Sequence, residues 1–153
     1  MSSLASLVSD FCDDILNGVQ IRWMNNHPEI PYVKEKLQVW EFPPAAVVCA
    51  EKENDPQVYA RATACGIGPN SYGAAKSKIL KDKLEELGEL GEKTACGNHI
   101  GCCAEPHAAN SLIMKTDYSI QLESIRFSIA YRPRTGKVLP YCDNCKHTFP
   151  QLQ

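Results

Sequence analysis

The sequence predicts an α/β domain on three observations. Apolar residues recur at helical spacing near the N-terminus and again past residue 70, two β-rich runs flank a polar turn, and an alternating run crosses residue 130. At 153 residues the chain reads as a single domain, 1–153, large enough to bury a core without disulfides. Hydrophobic residues make up 44% and charged residues 22%, an ordinary globular balance. No run approaches the roughly 18 apolar residues of a membrane span. Asp10, Asp13 and Asp14 stand where a signal peptide needs basic residues. The expectation is a soluble chain with no membrane partner, and its eight cysteines read as reduced thiols of a cytoplasmic setting.

Taken in order, Leu4, Leu7, Val8, Phe11, Cys12, Ile15 and Leu16 mark one face of a helix over 4–17, with Gly18 as its stop. Arg22 and Trp23 follow, Trp23 read either as a packed side chain or as a base-stacking surface. Residues 37–42 alternate as a strand before Pro43-Pro44. A hairpin is expected over 45–64, its arms joined by the polar segment 51–56. After a glycine-rich loop at 66–70, Ile79, Leu80, Leu84 and Leu87 mark a helix over 71–87. Residues 94–102 read as a polar loop, 104–114 as a helix with Pro106 in its first turn, and 125–132 as a strand with Phe127, Ile129 and Tyr131 on one face. A last helix is expected over 142–149.

Two short runs carry the chemistry: Cys103-Ala104-Glu105, and Pro140-Tyr141-Cys142-Asp143-Asn144-Cys145. Three thiols, two of them separated by two residues, suit three corners of a zinc tetrahedron and leave the fourth open. Glu105, two residues from the first thiol, is placed to move protons at such a site. Other readings stay open on spacing alone. Cys96, His99 and Cys102 have the spacing for a second metal, Cys102 or His147 for the fourth ligand of a closed structural zinc, and Cys142 with Cys145 for a redox pair.

These motifs resemble the zinc-dependent nucleobase and nucleoside deaminases, whose signature is His-x-Glu or Cys-x-Glu followed by Pro-Cys-x-x-Cys. Here the first ligand is Cys, and Tyr141 separates the proline from the Cys-x-x-Cys. The order of elements is most similar to the deaminase domains of bacterial polymorphic toxins and their YwqJ-like relatives. The resemblance implies a three-layer α-β-α cytidine deaminase-like fold, with a small mixed central sheet and zinc at helix N-termini. It further implies one Zn²⁺ per chain on Cys103, Cys142 and Cys145, with Glu105 as the catalytic proton shuttle. Free-nucleoside deaminases place two more strands after the Cys-x-x-Cys helix, whereas eight residues follow Cys145 here, which favours the toxin-like branch.

The expected reaction is conversion of cytosine to uracil, within DNA or RNA. The net charge is −2, but residues 125–153 hold Arg126, Arg132, Arg134, Lys137 and Lys146 against Asp143 alone, which suits either a phosphate-attracting field or a solvated surface. Candidate substrate contacts are Asn70, His107, Tyr141, Arg132 and Arg134, with turn chemistry the plain alternative for Asn70 and capping or packing for His107. A toxin domain would have an immunity protein as partner and act in the cytosol or nucleus of a target cell. The alternatives are a free nucleoside or small aminated heterocycle as substrate, or a zinc module that binds a partner without catalysis.

Overall fold

The computed structural model describes residues 4–32, 46–63, 77–133 and 135–153. They form a small antiparallel sheet with helices on both faces. The expected strand at 37–42 lies outside the described residues, as do 71–76 of the second helix.

Helix α1 spans Leu4–Asn26 and passes through Gly18, which was expected to end it. The apolar stripe explains the difference. Val19 and Trp23 continue it at four-residue spacing from Ile15, and both are buried, whereas Gly18 lies on the exposed side. Pro28 follows two residues after the helix end, consistent with the bias of a proline against helix before it. Trp23 stacks on His27 with centroids 4.3 Å apart and meets Tyr32 edge-on at 5.6 Å. It is a packing residue, only 2% exposed, and offers no face to a base.

Strands β1 (Val47–Lys52) and β2 (Asp55–Thr63) form the expected hairpin. Its turn is tighter than the 51–56 segment, with Glu51 and Lys52 still in β1 and Asn54 in the left-handed region at φ 64°. Asparagine tolerates that conformation better than most residues. Strand alternation then separates two cores. Val47 and Cys49 face Val8 of α1, while Val48 and Ala50, with Ala60 and Ala62 of β2, face the opposite layer.

That layer holds α2 (Lys78–Glu85), α3 (Ala104–Lys115) and the short α4 (Asp143–Thr148). In α2, Leu80 and Leu84 are buried, but Ile79, expected on the same face, is half exposed because it lies one step around the helix from their line. Helix α3 packs its Ala108, Ala109, Leu112 and Ile113 against β1 and β2. Small side chains at 108 and 109 allow close approach to a sheet face that is itself rich in alanine.

The run 125–132 is not one strand. It divides into β3 (Ile125–Phe127) and β4 (Ala130–Arg132), both antiparallel to β1. Ala50 is opposite Phe127 while Val47 is opposite Tyr131, so this side carries one extra residue, a bulge at Ser128-Ile129. Ser128 holds the ladder together there: its Oγ accepts the Cys49 N–H at 2.9 Å and its own N–H reaches Cys49 O at 2.8 Å. The bulge turns Ile129 outward to 42% exposure, against the alternation of the sequence.

Strand β5 (Lys137–Leu139) hairpins onto β4 and leads into Tyr141 and Cys142. The strands run in the order β2-β1-β4-β5 with β3 also on β1, and every described pairing is antiparallel. The sheet is therefore not the mixed one expected. Both β1–β2 and β4–β5 are local hairpins, and although α2 and α3 carry the chain from β2 to β3, those two strands each pair antiparallel with β1 and not with each other, so no parallel ladder forms among the described strands.

Candidate metal centre

Two helix starts and one helix interior bring the site together. Cys103 is the N-cap of α3 and Cys142 the N-cap of α4, each with extended backbone, and Cys145 lies within α4. Neither N-cap side chain caps its own helix, and α3 and α4 pack into the same core, which brings the two helix starts together. The three sulfurs lie within 4.8 Å of one another, with Cys103 Sγ and Cys142 Sγ 3.3 Å apart. A tetrahedral zinc with Zn–S near 2.3 Å separates its sulfurs by about 3.8 Å, so the set fits such an ion. Cys145 is 1% exposed, while Cys103 and Cys142 are half-buried.

Without a cation the sulfurs share their protons. The Cys142 thiol is lowered, first through the hydrogen bond from Cys103 and next from Cys145. Cys103 and Cys145 are raised, chiefly because each gives its hydrogen to a neighbouring sulfur. Metal binding at these sulfurs would require the thiols to give up their protons. Glu105, in the first turn of α3, is 5% exposed, and its Oε2 accepts from Cys145 Sγ at 3.4 Å. Burial pushes its carboxyl above the ordinary range, with the Cys142 sulfur adding in the same direction.

Tyr141 is tied in place by its hydroxyl, which donates to Ser128 O at 2.8 Å and so fastens the residue before Cys142 to the bulge. Its phenol is raised by burial and then by the charges of Glu105 and Cys145. A cleft of about 350 Å³ opens beside it, lined also by Phe127, Arg126, Glu53 and Gln151. His107 lies one turn beyond Cys103, half-buried, its imidazole lowered by burial and its Nε2 without a hydrogen-bond partner among the described residues. Arg132 is the exposed last residue of β4, directly opposite Lys137. Arg126 pairs with Glu51 at 3.6 Å. Asn70 and Arg134 lie outside the described residues.

Among the described residues no other group of His, Cys, Asp and Glu converges as a metal site. Cys96 is exposed, His99 Nδ1 is engaged with Gly91 O at 2.9 Å, and Cys102 is buried outside the cluster, so these three do not form a second centre. His147 is drawn to Glu86 at 3.2 Å, away from the role of fourth ligand.

Sequence reasoning misses Thr94, Asn98 and Asn144. The Asn144 side chain, between the two thiols of the Cys-x-x-Cys, takes a hydrogen bond from Thr94 Oγ1 at 2.8 Å and gives one to Asn98 O at 3.3 Å. The available signal was weak: a polar amide at an inward position of a short helix.

No family model, curated protein or solved structure matches this chain. No helix of the described residues is long and apolar enough to cross a membrane. The three-sulfur cluster, compatible with zinc, is the chemical feature that the geometry itself supplies.

Proposed function

We propose that the chain is a zinc-dependent hydrolytic deaminase that converts cytosine to uracil within a DNA or RNA strand, with Cys103, Cys142 and Cys145 holding the ion. The observation that carries this reading is a buried carboxyl, Glu105, in contact with one of three converging sulfurs, two of them on half-buried residues. A closed structural site would use a fourth protein ligand, and the described residues bring none.

Zinc bound there supplies Lewis acidity, which makes hydrolysis available near neutral pH. The protein's own part falls to Glu105. Beside the sulfurs, it would take one proton from the attacking water and pass it to the ring nitrogen, then carry the second from the new hydroxyl on the ring carbon to the exocyclic amine so that ammonia leaves. One water enters, one ammonia departs, and nothing is oxidised.

A polynucleotide is favoured over a free base by the β4–β5 hairpin. Arg132 and Lys137 stand directly opposite each other, and like charges so paired are unfavourable unless an anion lies across them. Neither makes an ion pair among the described residues.

The test is mass-spectrometric detection of deaminated product from free cytidine, free adenosine, single-stranded DNA, duplex DNA and RNA, using wild type and Glu105→Gln. Uracil in a polynucleotide with wild type alone supports the proposal. Product from free nucleoside alone moves the substrate to small molecules, and a zinc-loaded protein inert on the whole panel is a binding module.

A further inference from the structure

We propose that Cys103 and Cys142 form an oxidative modification site: in the metal-free chain, a peroxide joins their sulfurs in a disulfide and so removes two of the three candidate metal ligands. The bond itself rests on geometry; its effect on metal rests on the reading of Cys103, Cys142 and Cys145 as ligands.

The spacing of the sequence favours a different pair. Cys142 and Cys145 are separated by two residues, and an unfolded chain closes so short a loop more readily than one between positions thirty-nine apart. The fold reverses that preference. It holds Cys103 Sγ 3.3 Å from Cys142 Sγ, and a disulfide needs its sulfurs about 2.05 Å apart, so only a short further approach remains. Both residues are N-caps whose side chains make no capping bond, so each can turn about χ1 without giving one up.

Cys145 is placed differently. It lies inside α4, is 1% exposed, and its Sγ is engaged with Glu105 Oε2 at 3.4 Å. Cys103 and Cys142 are half-buried, so an oxidant arriving from water meets those two before Cys145.

The electron pair of one sulfur attacks the peroxide, whose O–O bond breaks; water leaves and a sulfenic acid remains. The second thiol then attacks that sulfur, the S–S bond forms as the S–O bond breaks, and the hydroxyl departs with the thiol proton as a second water. Two thiols are oxidised, one hydrogen peroxide is reduced to two waters, and a dithiol reductant reverses the bond by exchange. Cys145 is then the one free thiol left in the cluster, too few ligands for a zinc site.

The experiment oxidises EDTA-treated wild type, Cys103→Ser and Cys145→Ser with a small excess of hydrogen peroxide, then blocks remaining thiols with iodoacetamide. The digest is mapped without reductant, with fragmentation assigning each sulfur. Wild type and Cys145→Ser should both show Cys103 linked to Cys142, and Cys103→Ser should show no link to that segment. Wild type oxidised in concentrated urea should instead join Cys142 to Cys145. Oxidised native wild type should lose zinc binding in chelator competition and regain it after dithiothreitol.

A Cys142–Cys145 bond in the native chain overturns the proposal, as do sulfinic acids at Cys103 and Cys142 with no link between them. Zinc at 100 times its dissociation constant leaves about one chain in a hundred metal-free, so it should slow the link about 100-fold. If zinc leaves the linking rate unchanged, the metal reading falls and the disulfide stands without it.

Discussion

Glu105 and Cys96 show how far local surroundings set the behaviour of a side chain. Glu105 is buried against the Cys145 sulfur, and replacing it by Gln keeps the volume while removing the ionisable carboxyl. The proposed activity should fall by about 10²- to 10⁴-fold, with zinc content unchanged by elemental analysis. Cys96 is exposed, and its thiol is lowered, first by the hydrogen bond with Thr94 Oγ1 at 3.3 Å. Among the described cysteines of the zinc-loaded protein, it should be alkylated first by iodoacetamide and stay reactive to lower pH than a free thiol, as peptide mass mapping would show. Cys49 marks the other extreme, buried in the α1–sheet core and raised to about 11 by that burial, and it should react last.

Helix α1 and the bulged strand make separate predictions. Gly18 is exposed within a continuous helix, and a Cβ there would meet nothing within 4 Å. Gly18→Ala should therefore stabilise the protein by about 0.5–1 kcal/mol in urea unfolding, since alanine loses less backbone freedom in a helix. Had the helix ended at Gly18, the same substitution would cost stability. At the bulge, Ser128 Oγ satisfies the buried Cys49 N–H, and the Ser128 backbone receives the Tyr141 hydroxyl. Ser128→Ala leaves that N–H unpaired and should cost about 1–3 kcal/mol by the same measurement. Tyr141→Phe should cost less, because it leaves a carbonyl acceptor short of one partner and no N–H unpaired.

For the molecule as a whole, the candidate metal centre joins α3 and α4, so an ion there fastens two helices of the larger core. Zinc at 100 times its dissociation constant should add about 2.7 kcal/mol to stability, seen as a higher melting temperature that EDTA reverses and Cys142→Ser abolishes. The elements that local rules govern were legible from residues alone: the stripe of α1, the hairpin around 51–56, and the thiols spaced so that two lie one helical turn apart with Glu105 near the third. Such patterns depend on neighbours a few positions away, and the periods of helix and strand express them directly. The length of α1 was misjudged because Gly18 is a stop only when no packing continues beyond it, and Val19 with Trp23 provides that packing. The bulge at Ser128-Ile129 was hidden for a related reason: an alternating sequence permits a straight strand, and only pairing with β1 reveals the extra residue. The approach of Cys103 to Cys142, thirty-nine residues apart, and the clamp of Asn144 on Thr94 and Asn98 depend on how α3, α4 and the 94–98 loop meet around one core. No local spacing encodes those distances; they are set when the helices bury their apolar faces together, and the polar partners are fixed by what that burial leaves within reach.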